Sequence, residues 1–156
     1  MPKPNFIADD IAISPALSGD AYAEVARAGF KAVIALLPDS EAQSPAHAAR
    51  VQAEAAGLAF AHVPVAKYEV FTDEALDAVA AAFAALPRPI LATCASGQRA
   101  AIVWAGTAAR AGAPVSSVLS SLNDAGFDFG FLRDDLEQQA DRRRWATARA
   151  SSRAAA

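Results

Sequence analysis

Six consecutive residues, Cys94-Ala95-Ser96-Gly97-Gln98-Arg99, combine the types that nucleophilic chemistry on an anion requires. Cys94 is the only cysteine of the chain, so it has no internal disulfide partner and its thiol needs another explanation. Ala95, Ser96, Gly97 and Gln98 offer a backbone free to curl, so that successive N–H groups can turn inward as an anion-binding loop. A helix opening directly afterwards would aim the positive end of its dipole at the same point. A thiolate placed there is itself stabilised, and the guanidinium of Arg99 can fork onto a bound oxyanion. The same residues also admit a plainer reading, in which Cys94 is a small buried hydrophobe ending a strand and Arg99 an ordinary first-turn residue.

The flanking sequence decides what must position the loop. PILATC is a short apolar run ending at Cys94, and Arg99 to Ala111 has helical patterning closed by Gly112. Upstream, the same phrase of helix, glycine stop and strand repeats. A helix capped by Ser18, with Leu17 and Tyr22 as a hydrophobic staple, runs to about Ala28, stops at Gly29 and leads into KAVIALLP. A second runs from Pro45 to Ala56, stops at Gly57 and leads into LAFAHVPV. A third is capped by Thr72, with Asp73 and Glu74 in its first turn and Leu76, Val79, Ala80 and Phe83 on one face, and precedes PILATC. Two further helical segments, Val115 to Ala125 and about Phe131 to Arg149, follow the loop.

Strands alternating with helices through short turns predict an α/β fold with a parallel sheet of four to five strands and helices on both faces. Any extra strand comes from Asn5 to Ser14, where IAI alternates. In such sheets ligands bind at the carboxyl ends of strands, which is where Cys94 falls.

With 156 residues, 54% of them hydrophobic and 20% charged, the chain is sized for one core, and residues 1–140 read as one domain. Residues 141–156 form a basic helix end and tail, with Arg142, Arg143, Arg144, Arg149 and Arg153 against the single acid Asp141. With no aromatic interleaved beyond Trp145, this reads as a solvated helix end and not as a nucleic-acid surface. No apolar run is long enough to span a bilayer, and Met1-Pro2-Lys3-Pro4 leads into no signal-peptide core. The expectation is a soluble, cytoplasmic protein without a membrane partner.

The sequence resembles the phosphatase-like domain of the beta-lactamase-hydrolase-like proteins, a bacterial family with the protein tyrosine phosphatase fold that is also labelled a sulfur transferase family. The likeness covers about residues 5–130 and rests on FIADDIAISPALSGDAYAEVARAGFKAVIALLPDSE, AEAAGLAFAHVPV, ALPRPILATCASGQRAA and AGFD. It implies a protein tyrosine phosphatase-like fold with Cys94 and Arg99 as the catalytic pair and Ala95, Ser96, Gly97 and Gln98 as the anion-binding loop. The chain departs from the family at Thr93, Ala95 and Ala100, where members usually carry an aromatic or histidine, an arginine and a serine. Ala95 removes positive charge near the sulfur, and Ala100 removes a hydroxyl donor.

Loop length bears on the chemistry. Four residues separate Cys94 from Arg99, the spacing of rhodanese-type sulfurtransferases, whereas tyrosine phosphatases have one residue more. A phosphatase of this fold also needs an acid to protonate its leaving group. After HVPV the chain offers Ala66-Lys67-Tyr68-Glu69 and no aspartate, so Glu69 or Asp73 would have to serve. Sulfur transfer needs no such acid. The expected function is therefore sulfur transfer through a Cys94 persulfide, on a small anionic or sulfane-sulfur substrate. The alternatives are a protein phosphatase working through a phosphocysteine, and a catalytically weak anion- or protein-binding module, to which Ala95 and Ala100 point.

Other residues read as structural. His47 and His62 do not pair with Cys94 by spacing, and one cysteine with two scattered histidines makes no zinc site, so no metal or other cofactor is called for. Asp39 in LLPDSE suits a turn, though it could face the same crevice. Trp104 and Trp145 read as packing residues.

Overall fold

The computed structural model describes residues 3–143. In chain order it contains β1 (Asn5–Ala8), β2 (Ile11–Ser14), α1 (Ala21–Arg27), β3 (Ala32–Ala35), α2 (Ala46–Ala55), β4 (Ala59–His62), α3 (Asp73–Ala85), β5 (Ile90–Thr93), α4 (Gln98–Arg110), α5 (Val115–Asp124) and a last helix, α6, over residues 133–143. The single-turn helices Lys67–Glu69 and Gly130–Leu132 lie in the connections before α3 and α6.

The five strands form one sheet in the order β1-β2-β5-β3-β4. Strands β2, β5, β3 and β4 are mutually parallel, and β1 pairs antiparallel with β2 at the edge. Asn5 to Ser14 thus supplies two strands, the fourth parallel one and a reversed edge. Register aligns the strand ends, because Thr93 of β5 stands beside Ser14 of β2 and Ala35 of β3, and Ala35 beside His62 of β4.

Alternation along each strand divides the core between the two faces. Ala12, Val33, Phe60 and Leu91 pack with Tyr22 and Val25 of α1 and Ala53 of α2. Their neighbours Ile11, Ile13, Ala32, Ile34, Ile90 and Ala92 pack with Leu76, Val79 and Phe83 of α3, Ala101, Val103 and Ala105 of α4, and Val118 and Leu122 of α5. Central strands buried on both faces read as continuous apolar runs, which is why KAVIALLP and PILATC carry no polar alternation.

Helices α3 and α4 approach so closely that a Cβ on Gly106 would lie 2.9 Å from Leu76 Cδ2. Thr72 caps α3 as anticipated, its hydroxyl accepting from the Ala75 N–H at 3.3 Å. Ser18 does not cap α1. Gly19 adopts φ +54, and this left-handed turn moves the helix start on to Asp20, leaving only the Ser18 carbonyl to accept from Ala21 N–H at 3.1 Å. Helix α6 continues across residue 140, and Arg142 ties it to Asp73 at the start of α3. Arg144, Trp145, Arg149 and Arg153 lie outside the described residues. Among the described residues no helix is long and apolar enough to cross a membrane.

Candidate active site

Cys94 follows β5, which lies between β2 and β3 at the middle of the sheet. Its side chain is buried, 2% exposed, and touches the core on the α3–α4 face. On its other side Cys94 lines a cavity of about 300 Å³ at the carboxyl ends of the strands, shared with Thr93 and Ala95. The plainer reading of the sequence, a cysteine enclosed wholly by core, therefore describes only half of its surroundings.

The loop closes on the sulfur through one backbone donor. Gly97 N–H points at Cys94 Sγ from 3.1 Å, while Gln98 N–H is taken by the Ser96 hydroxyl at 3.4 Å. The expected convergence of N–H groups from residues 95–99 on Cys94 is thus reduced to Gly97, and of the predicted loop residues only Ala95 lines the cavity with Cys94, while Ser96, Gly97, Gln98 and Arg99 do not. Glycine is required at this point. Its φ of +94 lies in the left-handed region, and an added Cβ would stand 3.1 Å from Ile13 Cγ2. The Ala16 N–H donates to Ala95 O at 3.3 Å and holds the loop against the β2–α1 connection.

Arg99, the second residue of α4, is nearly enclosed, with 9% of its side chain exposed. Its Nη1 donates to the Val65 carbonyl at 2.9 Å and to Glu41 Oε2 at 3.2 Å, and its Nη2 donates to Glu41 Oε1 at 2.9 Å. The hydrogen bond from Arg99 holds the Glu41 carboxyl below the usual range, with the charges of Arg99 and Lys67 adding to it. The sequence reading did not single out Glu41. It stands 58 residues from Arg99, and only its place after the carboxyl end of β3, the strand beside β5, connects the two.

The candidate leaving-group acids are engaged elsewhere. Glu69 Oε2 accepts from Ala66 N–H at 3.0 Å within its own turn. Asp73 pairs with Arg142 and with Arg110, the latter at 3.5 Å. Neither lines the Cys94 cavity. Its titratable walls, besides Cys94, are Asp39, Glu41, His62 and Tyr22. Asp39 does face the crevice and also serves as the anticipated turn residue, its Oδ1 accepting from Ala46 N–H at 2.9 Å at the start of α2. His62 donates from Nε2 to the Leu37 carbonyl at 2.7 Å, which fixes the proton on that nitrogen in the neutral ring. Burial pushes the Tyr22 phenol above its ordinary value of 10.0 and keeps it neutral. His47 is outside this group, and among the described residues no cluster of histidine, cysteine and carboxylates could hold a metal ion.

A second cavity, about 350 Å³, lies between the α4–α5 turn and α6 and is lined by Pro114, Val115, Arg133, Glu137 and Arg143 among others. Cys94 does not border it.

Similarity to known proteins converges on the same architecture. The profile of the family described as "Beta-lactamase hydrolase-like protein, phosphatase-like domain" matches residues 4–113. The beta-lactamase hydrolase-like protein of Xylella fastidiosa strain 9a5c is 33% identical over 137 residues, which is 86% of this chain and 32% of that protein. The chain thus spans about a third of the length of this relative. Among solved structures, a protein from Neisseria meningitidis provisionally named a phosphatase superposes with a TM-score of 0.74 at 25% identity, covering 86% of this chain and 96% of that one. A Shewanella putrefaciens protein, also provisionally a phosphatase, gives 0.65 at 16% identity over 90% of this chain and 88% of that one, a likeness of fold.

Proposed function

For a chain that belongs to the phosphatase-like domain family of the beta-lactamase hydrolase-like proteins, we propose a cysteine-dependent group transfer in which Cys94 is the nucleophile and the transferred group is sulfur. The observation that supports it is the placement of one thiol at the carboxyl end of the central strand, open to a cavity and facing a loop N–H at 3.1 Å. Cys94 takes the outer sulfur of a sulfane donor and becomes a persulfide, while the donor leaves as a sulfite- or thiolate-type anion. The Gly97 N–H and the opening turn of α4 offset the charge on the sulfur. An acceptor thiol or cyanide then attacks the outer sulfur and regenerates the Cys94 thiolate. Ala95, Ser96, Gly97 and Gln98 form the cradle, and Arg99 orients the anion.

Sulfur transfer suits this site because neither Glu69 nor Asp73 is free to protonate an alcohol leaving group, and because four residues separate the cysteine from the arginine. A second reading, phosphate-ester hydrolysis through a phosphocysteine, is favoured by the Neisseria structure and its provisional name. In it Asp39 or His62, which line the cavity, would have to supply the proton.

Parallel assays separate the two. Thiocyanate formation from cyanide and benzenethiosulfonate, a sulfane donor with one negative charge, that disappears in Cys94→Ser, with little hydrolysis of p-nitrophenyl phosphate, is the expected pattern. Hydrolysis of the phosphate ester that depends on Cys94, with no thiocyanate formed, would reverse the ranking. No Cys94-dependent turnover of either kind would leave the binding module.

A further inference from the structure

Arg99 does not meet the loop as a bare cation. A guanidinium carries five N–H groups, and three of those of Arg99 are used, two by the Glu41 carboxylate and one by the Val65 carbonyl. The Nε–H and the second Nη2–H, its side fork, have no partner among the described residues. The end fork is occupied as a substrate carboxylate or phosphoryl group would occupy it, by a carboxylate of the chain itself. With oxygen 2.9 Å from nitrogen, Glu41 cancels at close range the charge that Arg99 would project into the site.

The rest of the cavity does not restore that charge. Its walls include Asp39 and Glu41 and neither lysine nor arginine. Lys67 acts on Glu41 but stands outside the cavity. An anion arriving at Cys94 therefore meets the Gly97 N–H and the carboxylates of Asp39 and Glu41, while Arg99, whose charge Glu41 compensates, lies outside the lining. Repulsion from Glu41 grows in proportion to the charge the anion carries, while the dipolar hydrogen bonds depend mainly on its geometry.

We propose that Glu41 is a specificity-determining residue of the Cys94 loop: by holding Arg99 end-on and cancelling its charge, it favours anions with one negative charge at the reacting end, such as a hydropersulfide, over dianions such as a phosphomonoester. This rests on the assignment of the Cys94 loop as an anion site and adds the class of anion it accepts.

The test compares the wild-type chain with Glu41→Gln at fixed low ionic strength. Binding is read as protection of Cys94 from neutral iodoacetamide, with thiocyanate and perrhenate as monoanions and sulfate and tungstate as dianions. At separations of about 6 Å and the high dielectric of an open site, removing one charge should tighten monoanion binding about three- to tenfold. Because the effect scales with ligand charge, dianions should gain the square of that factor, about ten- to a hundredfold. Glu41→Ala should show the same ordering, and Glu41→Asp should keep the wild-type preference. A dianion-to-monoanion ratio unchanged in Glu41→Gln and Glu41→Ala, or looser binding of both classes, overturns the proposal and leaves the anion site standing. Absence of protection by any anion in every form removes the anion site and this inference with it.

Discussion

Replacing Arg99 with Ala probes the proposed anion site through the one cationic residue of the Cys94–Arg99 loop. The wild-type guanidinium is anchored by three hydrogen bonds of 2.9, 3.2 and 2.9 Å, so little ordering entropy remains to be lost when an anion engages its side fork. A charge-assisted hydrogen bond is worth about 1.5–3 kcal/mol, so the monoanion thiocyanate should bind Arg99→Ala about ten- to a hundred-and-fifty-fold more weakly. Part of that loss is indirect, because the substitution also strips Glu41 of its partner and leaves an uncompensated carboxylate on the cavity wall. Two of the three hydrogen bonds that order the guanidinium go to Glu41, so the Arg99→Ala cost should change in a Glu41→Gln background and the double-mutant cycle should show coupling well above measurement error. Arg99→Lys should recover only part of the affinity, since an ammonium cannot serve the Val65 carbonyl, the carboxylate and an anion with one planar fork. The readout is thiocyanate protection of Cys94 against alkylation, with thermal unfolding as the folding control. Undiminished protection in a folded Arg99→Ala would refute the assignment, and strict additivity in the cycle would refute the coupling to Glu41.

Further expectations follow from the same geometry. Gly97→Ala should destabilise the fold by about 1–2 kcal/mol, from the left-handed φ of +94 and the 3.1 Å approach to Ile13, and should slow chemistry at Cys94 by displacing the one N–H that reaches the sulfur; urea titration and alkylation kinetics check the two parts. Leu76→Ala should cost about 2–5 kcal/mol in chemical denaturation, since Leu76 is fully buried where α3 meets α4. The Glu41 carboxyl is held below its ordinary 4.5 by Arg99, so the stability it contributes is fully present above that value and is lost as pH falls through the lowered folded-state value. The stability gap between wild type and Glu41→Gln, followed by denaturation from pH 7 to pH 3, should therefore narrow on acidification; a gap that widens contradicts the pairing.

What the sequence revealed and what it concealed divide along the range of the interactions. The strand after Gly29 and the strand before Cys94 were legible because burial on both faces writes continuous apolar runs, and Thr72 because a cap bonds within its own turn. The α1 start was misplaced because Ser18 and Asp20 are both good cap residues, and the left-handed turn at Gly19 chose between them. The reversal of β1 was not legible either, since Asn5 to Ser14 holds two strands of four residues around the short turn Asp9-Asp10. At the candidate site, the proposed chemistry-bearing residues lie in one six-residue stretch and so could be named from the sequence. The partner of Arg99 could not, because Glu41 reaches it only through the adjacency of β3 and β5 in the sheet. Glu69 and Asp73 stood near the right place in the chain, yet a local capping bond and ion pairs with α4 and α6 hold them elsewhere.

The central claim, that Cys94 carries the transferred sulfur, is tested most directly by intact mass of the reduced protein after brief exposure to benzenethiosulfonate or glutathione persulfide and removal of the donor. The account predicts a species heavier by one sulfur atom, localised to the peptide containing Cys94, discharged by cyanide and absent in Cys94→Ser. A protein whose mass never changes with any sulfane donor, but which becomes one phosphoryl group heavier when quenched during turnover of a phosphate ester, would contradict it.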